Sequence, residues 1–283
     1  MNEQRAQAYV NLIEQLLTCA DGEALNILQA NQELIDPEFL QVMKNYATWL
    51  EEQGNNNPVA WLRNMAQQLG QFLNPQARSI EEYQEFLLEV LQAEAESNDP
   101  AVVYPILQRR QYLLDDTFSQ LLQQWARNVF SQGKAEDVAA IAGMIQSLCV
   151  DVSQFPLGSR ASNLEIAIIG YQTILEVLTR EAFPEDWVNT QNNLGEAYRN
   201  RIRGERADNL ELAIAAYNLS LEVSTHDSFP EQWAMIQNNL GLAYLDRITG
   251  ERADNLDLAI VAFNLSLEVL TREAFPEQWA NTQ

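Results

Sequence analysis

The sequence predicts an all-α fold, in which stacked helical hairpins form a solenoid behind a helical N-terminal region. Two observations predict this fold. A block of residues returns at a fixed spacing of 46 in the last part of the chain, and runs with the period-two alternation of strands are missing. Repeats of about 20 to 50 residues are typical of stacked arrays, in which each unit buries its apolar face against its neighbours. We therefore expect an extended surface suited to binding other proteins.

The repeated block is clearest at the start of each unit. Phe183-Pro184-Glu185-Asp186-Trp187 returns as Phe229-Pro230-Glu231-Gln232-Trp233 and as Phe275-Pro276-Glu277-Gln278-Trp279. Moving the pattern back by 46 residues places Gly158 over Gly204, so an earlier and more divergent unit precedes these copies. Divergent terminal units are expected in arrays. We predict a repeat domain over 134–283, with units at 137–182, 183–228 and 229–274 and a truncated unit at 275–283.

Residues 1–133 show no sequence repeat but carry strong helix signals. The spacing of apolar residues predicts helices at about 3–19, 23–31, 37–53, 58–72, 80–96, 100–113 and 116–131. Helix starts are marked by Asp36-Pro37, Asn57-Pro58 and Asp99-Pro100, and by the capping box Ser79-x-x-Glu82. We predict this segment to be a separate helical N-terminal region, although paired helices could continue the solenoid there by shape.

Each unit contains two amphipathic helices. In the second unit, one face of the first helix carries Trp187, Gln191, Leu194, Gly195 and Tyr198. Gly204 then breaks the chain, Asp208-x-x-Glu211 has the spacing of a cap, and the second helix presents Leu210, Ala213, Ile214, Tyr217 and Leu221. A glycine inside a helix costs about 1 kcal/mol, so its recurrence as Gly195 and Gly241 predicts close packing of the two helices.

These residues give the unit a resemblance to the tetratricopeptide repeat. Its pattern of Leu-Gly-x-x-Tyr, then Ala-x-x-x-Phe or Tyr, then Pro is met by Leu194-Gly195, Tyr198, Ala213, Tyr217 and Pro230. The unit departs from the family in its length, which is 46 rather than 34 residues, and in having Gln191 at the family's Trp position. The resemblance implies a right-handed α-solenoid of tetratricopeptide-like hairpins.

The long unit also resembles the repeats of cyanobacterial proteins that carry a CHAT domain. The resemblance rests on the Asn-Asn-Leu-Gly block at Asn192–Gly195 and the Arg-Gly-Glu-Arg-Ala-Asp-Asn block at Arg203–Asn209. In that family a caspase-like peptidase domain follows the repeats. This resemblance implies an alternative function, in which the chain is the regulatory or partner-recognition arm of a larger peptidase whose catalytic domain would lie beyond Gln283.

The tetratricopeptide resemblance also implies where a partner binds. In that family the first helices line a concave groove, and an Asn just before Leu-Gly contacts the bound peptide, so Asn193 and Asn239 are candidate contacts. Other candidate groove positions by that template are Asn189, Asn192, Glu196, Arg199, Met235, Asn238, Leu242 and Leu245. An amide offers both donors and an acceptor to a peptide backbone. The competing interpretation is that these amides bond the neighbouring repeat.

Composition narrows the class of partner and compartment. A formal charge of −23, from 40 acidic against 17 basic residues, disfavours nucleic acid and anionic membranes as partners. No apolar run approaches the roughly 20 residues of a membrane helix, and no signal segment opens the chain. Cys19 and Cys149 are too few for a disulfide framework, which fits a reducing cytoplasm. We predict a cytoplasmic protein.

No constellation in the sequence predicts catalysis, a metal or a cofactor. His226 is the one histidine, and Arg180 and Arg272 occupy its register positions, so we expect a surface residue. Phosphate-loop, zinc and EF-hand spacings are absent. The arginines at 199, 201, 203 and 206 are expected to pair with acids of adjacent loops rather than to bind an acidic peptide. We predict a non-enzymatic scaffold for a protein or peptide partner, with an effector role for 1–133 as a further alternative.

Overall fold

The computed structural model describes residues 3–19, 24–31, 34–53, 57–73, 79–97 and 99–282, and their regular structure is all helical, as predicted. A short 3₁₀ turn covers Gln111–Leu113. The α-helices are α1 Glu3–Thr18, α2 Ala24–Ala30, α3 Pro37–Glu52, α4 Asn57–Leu73, α5 Ile80–Glu96, α6 Pro100–Arg109, α7 Asp116–Gln132, α8 Ala135–Gln154, α9 Arg160–Ile174, α10 Pro184–Asn200, α11 Arg206–Val223, α12 Pro230–Asp246, α13 Arg252–Leu267 and α14 Pro276–Thr282.

The chain divides into two compact structural units, a first unit at 1–82 and a second unit at 83–283, and the second contains the 46-residue repeats. The boundary predicted near residue 133 marks where the sequence repeat begins, whereas packing divides the chain between Glu82 and Tyr83. The reason is that the hydrophobic core of the second unit is continuous from Tyr83 through the repeat. Helices that share no sequence repeat with the hairpins still bury their apolar faces in that same core.

The first unit has a core of its own, and Asp36 caps the start of α3. Tyr9, Ile13, Phe39 and Met43 are fully buried there. The Asp36 carboxylate accepts the Phe39 N–H at 2.8 Å, as predicted for the cap of α3, and also accepts from Arg5 and the Tyr9 hydroxyl, each at 2.6 Å. Asp99 and Ser79 likewise accept backbone N–H groups at their helix starts. The predicted cap at Asn57 lies outside the described side chains.

In the second unit, antiparallel hairpins follow one another along the chain. The helix pairs α8 and α9, α10 and α11, and α12 and α13 pack as hairpins. α12 packs on α11, and α10 packs on α9, so each hairpin rests on the one before it. This is an all-α solenoid of helical repeats.

A glycine and an asparagine shape the loop inside each hairpin. Gly158, Gly204 and Gly250 have φ of 76°, 77° and 75°, a left-handed conformation that favours glycine. Five residues later a buried Asn turns back into the loop, and its Nδ2 donates to the carbonyl of Leu157, Arg203 or Thr249. The recurring Asn163, Asn209 and Asn255 therefore stabilise the turn, because each donates a hydrogen bond to a loop carbonyl that has no partner within a helix.

The predicted cap at Asp208-x-x-Glu211 is wrong, because Glu211 serves a different contact. α11 begins at Arg206 and is capped by no side chain. The Glu211 carboxylate instead accepts two hydrogen bonds from Arg247 of the next unit, at 2.7 and 2.9 Å. Arg201 and Glu165 repeat this bidentate pair one unit earlier, at 2.7 Å for both bonds. A fork-shaped guanidinium fixes both distance and orientation, so these pairs set how one hairpin sits on the previous one.

The remaining loop arginines are also paired, as predicted. Arg203 donates to Asp116 at 2.6 Å, and Arg199 and Arg206 both approach Asp246, at 3.3 and 3.5 Å. Each of the four arginines of this cluster thus has an acidic partner on a neighbouring element.

The two helices of a hairpin touch where a glycine faces an aromatic ring. A Cβ on Gly195 would lie 2.6 Å from Cε1 of Tyr217, and a Cβ on Gly241 would lie 2.6 Å from Cε1 of Phe263. In the first hairpin Cys149 stands at the register position of Gly195, and the glycine lies on the facing helix: a Cβ on Gly170 would lie 2.2 Å from Sγ of Cys149. The predicted close packing is confirmed, and Cys149 fills a core position.

The apolar face of the last complete hairpin is open, whereas the matching face of the preceding one is covered. Leu210 and Ile214 on α11 are 0% and 7% exposed, because α12 packs on them. Their register equivalents on α13, Leu256 and Ile260, are 36% and 56% exposed. Burial of a repeat thus depends on the neighbour that follows it.

Two carboxyl groups meet inside the core of the second unit. Glu94 of α5 and Asp151 of α8 are only 3% and 5% exposed, and they interact with each other through their side chains. Burial, reinforced by the charge of Asp151, raises the pKa of Glu94 to about 8. Burial also raises the pKa of Asp151. We therefore expect the pair to hold a proton near neutral pH, because two buried like charges cannot both ionise at low cost.

We expect Gly195→Ala to lower the free energy of unfolding by about 1–3 kcal/mol, because the new methyl group would overlap the fully buried ring of Tyr217. Gly143→Ala is the matched control: nothing lies within 4 Å of that Cβ position, and alanine is favoured over glycine inside a helix by about 0.5–1 kcal/mol. Urea unfolding followed by circular dichroism compares the two. Equal stabilities of the two variants would contradict the close contact.

We expect Glu94→Gln to remove part of the pH dependence of stability. The folded-state pKa of Glu94, about 8, lies above its ordinary value of 4.5, so the folded chain holds the proton more tightly. The stability contributed by that proton is complete below pH 4.5 and is lost as pH rises through about 8. Melting temperatures of wild type and variant should therefore be similar in acid, and the variant should melt higher in alkali. A constant difference across this range would refute the shared proton.

Candidate functional site

A cavity of about 460 Å³ opens between the N-terminal halves of α10 and α12, the first helices of two successive hairpins. One wall belongs to α10, and the other belongs to α12 and the turn before it. It is lined by Glu185, Asn189, Asn192, Ser228, Phe229, Pro230, Glu231, Gln232, Met235 and Ile236. We call this cavity the α10–α12 pocket. It runs alongside the inter-repeat contact, so both units contribute to it.

Side-chain amides form the polar part of the α10–α12 pocket. Nε2 of Gln232 donates to Oδ1 of Asn189 at 2.5 Å, and Nδ2 of Asn239 donates to Oδ1 of Asn192 at 3.0 Å. The other amide atom of Gln232, Oε1, is buried and accepts from no group of the protein. These bonds hold the amides in fixed positions across the two helices and leave one acceptor unused.

The rest of the lining is acidic and apolar. Glu185 and Glu231 stand in the first turns of α10 and α12, where a carboxylate complements the positive end of the helix dipole. Met235 is 50% exposed at the pocket wall and supplies an apolar surface there. The pocket can therefore offer hydrogen-bond acceptors, negative charge and apolar contact to one ligand.

The structure brings together some of the predicted partner contacts and separates others. Asn189, Asn192 and Met235 line the α10–α12 pocket. Asn239 bonds Asn192 of the preceding unit, as the competing interpretation of the amides expects. Asn193 lines a different and smaller cavity of about 70 Å³, which lies between α8, α9 and α10 and also includes Glu196. Asn193 and Asn239 share a register position but not an environment.

The other predicted contacts lie further along the two helices. Arg199 is engaged by Asp246, and Asn238 is half-buried with its Oδ1 unpartnered. Leu242 is half-buried, and Leu245 is exposed. None of these four residues lines the α10–α12 pocket.

Gln232, Glu185 and Glu231 are pocket residues that the sequence analysis did not select. All three belong to the repeated Phe-Pro-Glu-x-Trp block, which marks the start of each unit. A signal was present, because Asp186 changes to Gln232 at the same register and thereby places an amide opposite Asn189. Recognising it required knowing that these two helix starts lie side by side.

Cys149, His226, Glu94 and Asp151 are not among the residues that line this pocket. Burial raises the pKa of the Cys149 thiol, so the thiol stays protonated and is a weak nucleophile. His226 is exposed, lies 3.4 Å from Asp227, and meets the ring of Trp233 edge-on. Arg272 lies over Trp279 in the same way one unit later. Glu94 and Asp151 line neither this pocket nor the cavity beside Asn193.

A second groove lies between α5 and α7. It measures about 320 Å³ and is lined by Gln84, Leu87, Leu88, Leu121, Gln124, Trp125 and Asn128. Its lining carries no charge, unlike that of the α10–α12 pocket. Across the described ranges, no three His, Cys, Asp or Glu side chains gather as a metal site would require.

Of the helices whose residues are described, none combines the length and apolarity needed to cross a bilayer. Comparisons of the chain with protein-family models, with curated proteins and with solved structures yield no match.

Proposed function

We propose that the chain is a protein-interaction scaffold, and that its second unit binds an extended segment of a partner protein in the α10–α12 pocket. The observation that carries this proposal is the lining of that pocket, where the half-exposed Met235 lies among side-chain amides of two successive repeats. A partner that covers Met235 gains free energy from burying apolar surface, and the amides of Asn189 and Asn192 can form hydrogen bonds with an extended backbone.

The repeat architecture supports the same proposal. Equal units stack with a constant rotation and form extended surfaces along their first helices. The hairpins with their glycine–aromatic contacts are tetratricopeptide-like in our interpretation, and the groove between first helices would be the peptide-binding side. An unbroken row of polar and apolar positions on α10 and α12 suits an extended chain better than a small metabolite.

Charge and chemistry support a protein partner and a non-enzymatic role. A net charge of −23 repels the phosphates of nucleic acid, and the loop arginines form ion pairs with acidic residues of the chain itself. A buried protonated Cys149 and an exposed His226 offer no nucleophile–base pair. The two free thiols support a reducing compartment, which we take to be the cytoplasm.

Selection of random peptides on the full chain tests the proposal. We expect the peptides selected on the wild type to bind the variants Met235→Asp and Asn192→Ala about tenfold or more weakly. Each substitution removes contacts that a pocket residue makes with the peptide, and losing such contacts costs about 1–3 kcal/mol. Fluorescence anisotropy of the labelled peptides measures the change.

Two matched variants serve as controls. Leu88→Asp makes the same kind of change in the groove between α5 and α7, and Asn193→Ala removes an amide outside the pocket. Both should bind the selected peptides like the wild type. Loss on Leu88→Asp alone would move the binding site to the α5–α7 groove, and equal binding by all variants would refute a site in either place.

A further inference from the structure

Side-chain amides of the α10–α12 pocket keep unused hydrogen-bonding capacity. The Oδ1 atoms of Asn189 and Asn192 each accept one bond, although a carbonyl oxygen has two lone pairs. A ligand with several N–H donors can therefore bind these oxygens, and the charge of the pocket decides between donor and acceptor ligands.

The net charge of the pocket is negative. Glu185 and Glu231 both line it, and no lysine or arginine is among its lining residues. The N-terminus of α12 contributes a positive partial charge of only about half a unit, which would favour an anion. Two carboxylates outweigh it. The pocket therefore favours a cation over an anion.

The apolar wall suits the stem of a long side chain. Met235 is half-exposed at the pocket, and its flexible thioether adapts to the shape of what it contacts. Lysine and arginine carry three or four methylene groups behind a charged head, and they bury this stem against apolar surface while the head meets polar groups. The arrangement of acids, acceptors and Met235 matches these two parts.

We infer that the α10–α12 pocket recognises a basic side chain, lysine or arginine, of the bound segment. This inference rests on the proposed function and names the ligand chemistry of that site. The head group pairs with Glu185 and Glu231 and donates to the second lone pairs of Asn189 Oδ1 and Asn192 Oδ1, and the stem lies along Met235. The acidic field of the whole chain, with its formal charge of −23, draws a basic segment toward the pocket.

Blocked amino acids titrated into the full chain test the inference directly. The probes are the N-acetyl amides of arginine, lysine, norleucine and glutamate, and the side-chain amide NMR signals of Gln232 and Asn189 report on binding. We expect arginine and lysine to shift these signals and to bind about tenfold more tightly than norleucine, which has the stem without the charge. Glutamate should leave the signals in place.

Charge variants of the protein complete the test. Glu185→Gln with Glu231→Gln should weaken binding of the two basic probes about tenfold and leave norleucine unchanged. Asp208→Asn with Asp254→Asn is the matched control: it makes the same charge change in the first turns of α11 and α13, outside the pocket, and should have little effect.

Several outcomes overturn the inference. Norleucine binding as tightly as lysine, glutamate moving the signals, equal effects of the two double variants, or no binding of either basic probe would each refute a basic-residue site. These failures differ from failure of the proposed function. If the selected peptides depend on Met235 but contain no basic residue, the proposed scaffold function stands and the basic-residue site is refuted. If the basic probes shift the Gln232 signal but no selected peptide depends on Met235, the basic-residue site stands and the proposed peptide-binding function is refuted.

Discussion

The close approach of two helices within each hairpin is the contact on which the rest of the second unit depends. Gly195 and Gly241 lack a Cβ where the rings of Tyr217 and Phe263 lie, so the helices pack nearer than ordinary side chains allow. In the first hairpin, whose sequence has diverged, Gly170 of the facing helix lies against Cys149, so a glycine again allows a close approach. Because each hairpin is rigid by itself, stacking can repeat with one geometry.

Stacking between hairpins is governed by the loops. The bidentate pairs of Arg201 with Glu165 and of Arg247 with Glu211 tie each loop to the helix of the preceding unit. Arg201 also donates to Oδ1 of the loop residue Asn209, at 3.4 Å. In the first hairpin the register equivalent of Arg201 is Phe155, and Oδ1 of Asn163 there has no partner. The loop contacts are thus fully formed only where the ion pair exists.

This use of the arginines also explains the electrostatics of the α10–α12 pocket. The basic residues of the repeat are concentrated in its loops, where ion pairs neutralise them. The helix starts of α10 and α12 keep acids in their first turns for the helix dipole, and no lysine or arginine is among the residues that line the pocket between them. The acids that stabilise the two helix starts therefore make the pocket between the two repeats negative, and this charge would attract a basic ligand.

The sequence by itself determined the helices, the 46-residue units and the glycine–aromatic contact. These follow from short-range rules, since period, caps and glycine positions act within one unit and recur in register. Only the tertiary structure decided what surrounds each residue that faces another unit. Asn193 and Asn239 are equivalent in sequence, yet Asn239 meets Asn192, while Asn193 faces a cavity beside Ser153 and Tyr171. Glu211 has the spacing of a cap and instead binds Arg247, and Glu94 meets Asp151 across 57 residues of chain. The physical reason is that such environments depend on the partner helix, whose sequence differs from unit to unit even where the spacing is constant.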